Sequence, residues 1–165
     1  MIDRILALIG IGRVKLTDDS GPVQLVQVDE GKSDPTGGRR LIDRVMKVGH
    51  FGFTSVPPLE SEVVMVRPGG DRASSIAVGS NHQTSRPRNL KPGDSAVYDI
   101  RGQIIRLTDG GTEIDCAGLP CRIVNAASVS IDSSGPVTVN APSVECSGPL
   151  KVHGTVTATA FVQAP

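Results

Sequence analysis

The stretch SVSIDSSGPVTVNAPSVECSGPLKVHGTVTAT, residues 128–159, decides the fold. Short Val, Ile, Thr and Ser segments alternate apolar with polar and are cut every few residues by Gly, Pro or Asn. Period-two alternation marks strands with one buried and one wet face, yet the stretch has almost no large side chain with which to fill a core of its own. The segments QIIRL (103–107), TEID (112–115) and CRIV (121–124) extend the pattern upstream. Such strands need partners from other copies of the chain, which predicts an elongated, oligomeric β-structure.

The spacing sharpens that expectation. One series of equal parity runs Val129, Val137, Val144, Leu150, Val156, and its companion runs Ile131, Val139, Cys146, Val152, Ala158. Steps of eight, seven and then six residues form a degenerate repeat. Together with Ile114 and Ile123 these positions are assigned to the axis of an intertwined trimer, while Ser130, Thr138, Glu145, Lys151 and Thr157 fall on the water-facing side. Burial of one Val or Leu side chain contributes roughly 1.5–3 kcal/mol, so three chains together gain what one chain cannot. A single-chain β-solenoid is the structural rival, but it needs a steadier repeat and a longer stack.

Composition agrees with an all-β chain. Only Phe51, Phe53, Tyr98 and Phe161 are aromatic among 165 residues, so Val, Ile and Leu must do the packing, and 19 Gly and 12 Pro punctuate the chain into short pieces. Seventeen basic and seventeen acidic residues cancel, which removes a global field that would draw the chain to nucleic acid or an anionic membrane. The opening MIDRILALIGIG carries Asp3 before its apolar run and no small-residue cleavage site after it, which argues against a secretory signal. No apolar run approaches the roughly 20 residues of a membrane-spanning helix. The chain is expected to be made and folded in a cytoplasm.

Residues 1–95 read as a separate domain. Ile5 to Ile11 is compatible with a helical turn or a strand. RVKLT (13–17) and VQLVQVDEG (23–31) flank the turn DDSGP. A polar loop, GKSDPTGGRR, leads into IDRVMKVGHFGF (42–53), whose alternation is loose. EVVMVRP and SSIAVGS then flank the turn GGDRA. About five strands result, the number a small Greek-key barrel of the oligosaccharide- and oligonucleotide-binding (OB) type requires. NHQTSRPRNLKPGDS, 81–95, is a linker by composition, and residues 96–165 form the repetitive part, with Asp109-Gly110 at a hairpin turn.

Motifs for chemistry are sparse. His50, His82 and His153 are isolated from one another; His50, Asp43 and Ser55 make a triad only on paper, since a triad is geometry. PGGDR and TDGG lack the Lys-Ser/Thr of a phosphate loop and read as turns. Three cysteines, 116, 121 and 146, argue against a disulfide framework. Cys116 and Cys121 face each other across a hairpin or resemble half a zinc site, and small buried thiols are the expected state. Phe51 and Phe53 downstream of Arg39, Arg40, Arg44 and Lys47 permit a stacking groove for single strands, against ordinary packing of two rings.

The order GFTSVPP, EVVMV, GGDRASSIAVGS, RPRNLKPGDSAVYD and QIIRLTDGG, followed by the Val/Ser/Thr-rich tail, resembles the Mu-type spike proteins, also called baseplate assembly protein V, of contractile phage tails. That resemblance implies a homotrimer whose OB-like barrels form a collar on tail hub and baseplate proteins and whose tails wind into a triple-stranded β-helix. It implies a virion protein of the tail baseplate, assembled in the bacterial host cytoplasm and driven through the host outer membrane on sheath contraction, with no catalysis, no cofactor and no nucleic-acid partner. Relatives often end in a pair of His residues that clamp an iron ion. This chain ends TVTATAFVQAP, so no metal is carried over, and the apex is closed by Phe161 and Val162 or by a separate tip protein. The rival from another class is an OB-type module that binds single-stranded nucleic acid or glycan, with the β-stalk serving oligomerisation.

Overall fold

Alternation in the first domain becomes a closed barrel in the computed structural model, which describes residues 7–33 and 36–160. Five strands form it: β1 (Ile9–Asp18), β2 (Leu25–Ser33), β3 (Arg39–Lys47), β4 (Glu62–Val66) and β5 (Ile76–Asn81). Their order around the ring is β1-β2-β3-β5-β4, and β4 pairs back onto β1. All neighbours are antiparallel except β3 and β5, which meet in a short parallel pairing of Met46 with Ile76 and Lys47 with Ala77. This is the OB-type order, with closure leaving no free edge.

The core is small and aliphatic: Val14, Val26, Val28, Val45, Val63, Met65 and Ala77, with Ile42 packed against it. Among the described residues no ring takes part. On β1 the inward positions are Gly10, Gly12 and Val14, so the bulky members of IGIGR, Ile9 and Ile11, point outward. Gly12 is obligatory for packing: a Cβ there would lie 2.4 Å from Val28 Cγ1 and 2.7 Å from the Asp29 carbonyl oxygen. Backbone of β2 passes too close for any side chain.

The loose alternation of IDRVMKV has a specific cause. Val26 pairs with Val45 and Val28 with Ile42, so β3 spends one more residue than β2 over that span. Arg44, with φ 53°, occupies the resulting bulge, and Ile42 and Val45 both reach the core although they stand three apart. GGDRA forms two short 3-10 turns, Pro68–Gly70 and Arg72–Ser74, with the Asp71 carboxylate accepting from Ala73 N at 3.0 Å.

After residues 82–94, which hold no strand, a second sheet follows: β6 (Ser95–Tyr98), β7 (Ile104–Thr108) and β8 (Gly111–Asp115), antiparallel in that order. Asp109-Gly110 lies at the β7–β8 reversal as the sequence predicts, with the positive φ, 119°, on Gly111. The chain divides into two units, Met1–Arg122 and Ile123–Pro165. In the second unit the described residues, 123–160, form no strand pairing within the chain and are exposed throughout.

Candidate functional site

The residues assigned to a trimer axis share one condition in the single chain. Ile123, Val129, Ile131, Val137, Val139, Val144, Leu150, Val152 and Val156 are all exposed, as are Cys146 and Ala158. Leu150 leaves 74% of its surface in contact with solvent. Ile114, on β8, is exposed in the same way. Water-facing candidates such as Thr138 and Glu145 are no more exposed in class, so one chain does not distinguish the two faces. Phe161 and Val162 lie outside the described residues.

Backbone groups tell the same story as the side chains. From Cys116 to Ala160 the N–H and C=O groups enter no ladder within the chain, although Val, Ile and Thr recur at strand spacing. A row of unpaired strand-forming segments with an aliphatic stripe is a template for pairing with other chains. Such a surface combines backbone hydrogen bonding with removal of aliphatic area from water.

The barrel offers a second aliphatic surface that sequence reading overlooked. Ile9 pairs with Val66 and Ile11 with Val64 across β1 and β4, and all four side chains point away from the core, with Val78 of β5 also exposed. Parity was the available signal, since Gly10 and Gly12 alternate with the two isoleucines. Toward the next register this face ends in Arg13 and Glu62, which form an ion pair at 3.5 Å.

A buried ionic network anchors the other polar positions of the barrel. Glu30 accepts from both Arg67 and Arg72, and Arg67 Nε donates to Ser75 Oγ at 3.2 Å. The Glu30 and Arg67 side chains are only 2% and 4% exposed. Desolvation, ahead of its attraction to Glu30, pulls the Arg72 guanidinium below its ordinary pKa. Nothing in the sequence spacing of residues 30, 67 and 72 announces this network, because β2, the residue after β4 and the second 3-10 turn bring it together.

Two expectations about packing are corrected. Phe51 is fully exposed and Phe53 is 72% exposed on the loop after β3, so the rings do not pack into the core, whose interior the aliphatic residues already fill. Cys121 is exposed and Cys116 half-buried, where buried thiols were expected. Cys116 and Cys121 do meet, as their spacing allowed: contact with the Cys121 thiol raises the Cys116 pKa above its ordinary value.

Of the paper triad, Asp43 Oδ1 accepts from the neighbouring Arg44 N, and the Ser55 carbonyl accepts from Lys47 Nζ. His50 and His82 border an open cleft of about 970 Å³ with Phe53, Ser55 and Tyr98, and His82 Nδ1 lies 2.8 Å from Ser85 Oγ. His153 is exposed in the second unit. Among the described residues no three His, Cys, Asp or Glu side chains cluster with metal-binding geometry. Among the described residues no helix is long and apolar enough to cross a membrane.

The described residues define a class of all-β proteins that join an OB-type barrel and a small sheet to a repetitive tail with no ladder of its own. The family described as "Bacteriophage Mu Gp45, N-terminal" matches residues 12–84, the span from β1 through β5. "Baseplate puncturing device gp45" of Escherichia phage Mu is 30% identical over 156 residues, covering 93% of this chain and 70% of that protein. "Mu-like prophage FluMu protein gp45" of Haemophilus influenzae is 31% identical over 120 residues, covering 72% of this chain and 63% of the relative. The chain belongs to the bacteriophage Mu Gp45 family of Mu-type spike proteins.

Proposed function

We propose that the protein is the central spike of a contractile phage tail or related injection particle, a component of the tail baseplate in the virion. Its kinship to a baseplate puncturing device supports the placement and the puncturing role. Three copies associate: their barrels form a collar that docks on hub and baseplate proteins, and their tails wind into a triple-stranded β-helix driven through the host outer membrane. The observation that carries this reading is the aliphatic series from Ile123 to Val156, exposed and without a backbone ladder in one chain. Wrapped around a common axis, every segment gains a neighbour on each side and every aliphatic position a dry environment.

The role is mechanical. Stiffness comes from continuous interchain pairing, which leaves no lateral edge and no weakly packed loop to buckle. The outward aliphatic face of Ile9, Ile11, Val64 and Val66 supports the collar's part in assembly, since such a patch favours burial against protein.

Exposed Phe51 and Phe53 near Arg44 and Lys47 favour a second reading, a single-strand-binding barrel with an oligomerising stalk. Sedimentation equilibrium of the full chain and retention on immobilised single-stranded DNA separate the two. The spike reading expects a trimer that survives detergent and passes over the DNA. A folded monomer overturns it, and salt-dependent retention on the DNA favours the rival.

A further inference from the structure

Just beyond β8 the chain makes a tight reversal. The Cys116 carbonyl accepts from Leu119 N at 2.8 Å, and both central residues have left-handed backbone, Ala117 with φ 51° and Gly118 with φ 76°. Asp115 Oδ1 accepts from Ala117 N at 2.8 Å and holds the strand end in register with the turn. Pro120 follows, with its φ restrained by the ring. The returning chain sets the Cys121 thiol beside that of Cys116, two residues beyond the hydrogen bond that closes the turn. Cys121 is exposed and Cys116 half-buried.

Two thiols held together by a closed turn, one open to solvent, make a site for thiol–disulfide exchange. We propose that Cys116 and Cys121 form an intrachain disulfide when the protein meets an oxidant of the glutathione disulfide class. Exposed Cys121, as thiolate, attacks one sulfur of the oxidant; a mixed disulfide forms and one glutathione thiolate leaves. Cys116 then loses its proton to solvent, and its thiolate attacks the Cys121 sulfur and displaces the second glutathione. Two thiols are oxidised to one disulfide while one glutathione disulfide is reduced to two glutathiones. Contact with Cys121 first, then burial and the charges of Cys121 and Asp115, hold the Cys116 pKa up, so the closing step quickens as pH rises.

The bond would close a small ring at Cys116–Cys121, immediately before Arg122 and the start of the second unit at Ile123. It would fix the local backbone from which the tail continues. Third in the chain, Cys146 belongs to the second unit and has no part in the ring. The inference stands whether or not the spike reading does, because it uses only geometry within the first unit.

The test incubates the full-length protein with glutathione disulfide, quenches with acid, alkylates under denaturing conditions and maps the cysteine peptides by mass. Expected is a peptide in which Cys116 and Cys121 together lose two hydrogens and take no alkyl group, while Cys146 is alkylated. Cys121→Ser should abolish that species and leave Cys116 alkylated or glutathionylated. Gly118→Val, which places a β-branched residue at a left-handed position, should lower the yield of the intrachain bond relative to mixed disulfides by about tenfold. Separate glutathione adducts on both cysteines, a bond between chains, or full alkylation of both under the same oxidant would overturn the proposal. So would an unchanged yield in Gly118→Val, since the turn would then not be what pairs the thiols.

Discussion

Glu30→Ala isolates the largest single electrostatic commitment of the barrel. Wild-type Glu30 holds two guanidinium groups, and its side chain is 2% exposed. Removing it affects the two partners differently. Arg72, 26% exposed, can turn toward water, whereas Arg67 is 4% exposed and keeps only Ser75 Oγ at 3.2 Å and a long contact to the Ala7 carbonyl at 3.5 Å. Escape toward β1 is blocked, because the guanidinium already fills the space over Gly10, where a Cβ would sit 2.3 Å from Arg67 Nη2. An uncompensated buried charge of this kind costs about 3–5 kcal/mol. Set against the ~5–15 kcal/mol that stabilises a domain, the loss is a large fraction of the total.

Hydrogen exchange on the full-length protein, read by mass spectrometry over β1, β2 and β4, measures it without separating the barrel from its tail. At tenfold per 1.4 kcal/mol, exchange of the slowest barrel amides should accelerate by roughly two to four orders of magnitude. Replacing both members, Glu30→Leu with Arg67→Met, should cost less than Glu30→Ala alone, since no charge is then stranded. Acceleration below about fivefold in Glu30→Ala, corresponding to under ~1 kcal/mol, would refute the reasoning by showing that the pair is solvated in solution.

Two further outcomes are expected. Val139→Asp should abolish trimer assembly in sedimentation whereas Thr138→Asp leaves it intact, because three carboxylates gathered at a dry axis cost at least several kcal/mol; equal loss in both variants would invalidate the face assignment. Asp99 accepts from Arg101 Nη1 at 2.9 Å and from the Arg101 and Gln103 amides at 2.8 and 3.0 Å; the Arg101 side chain foremost holds its pKa below the ordinary carboxylate value. A depressed folded pKa contributes stability that is complete above the unfolded value near ~4 and is lost as pH falls through the folded one. The melting-temperature gap between wild type and Asp99→Asn should therefore be present at neutral pH and shrink in strong acid; a gap independent of pH would argue against the Asp99 contacts.

Strand positions were legible wherever one local rule governed them. Period-two alternation located β2, β4, β5 and β1 from Arg13 onward, while the start of β1 at Ile9 lay in a run the sequence left open between helix and strand, and turn chemistry located the reversals at DDSGP, GGDRA and Asp109-Gly110. β3 blurred because its bulge at Arg44 shifts Val45 against Ile42, and a bulge exists only relative to the partner strand. Order around the barrel, including the parallel closure of β3 on β5, is likewise a property of pairs far apart in the chain.

Composition and spacing by themselves determined that this protein is all-β, that aliphatic side chains do most of its packing, and that its tail presents more aliphatic surface than one chain can bury. Those properties follow from side-chain volume, backbone period and the count of apolar positions, all of which are local or additive. Tertiary structure alone decided that Gly10 and Gly12 yield their space to Arg67 and the β2 backbone, that Glu30 binds two arginines, and that Phe51 and Phe53 stand in solvent. Each of these depends on which atoms meet across the fold, and contact between residues distant in sequence is settled by chain closure and close packing, which no local pattern encodes.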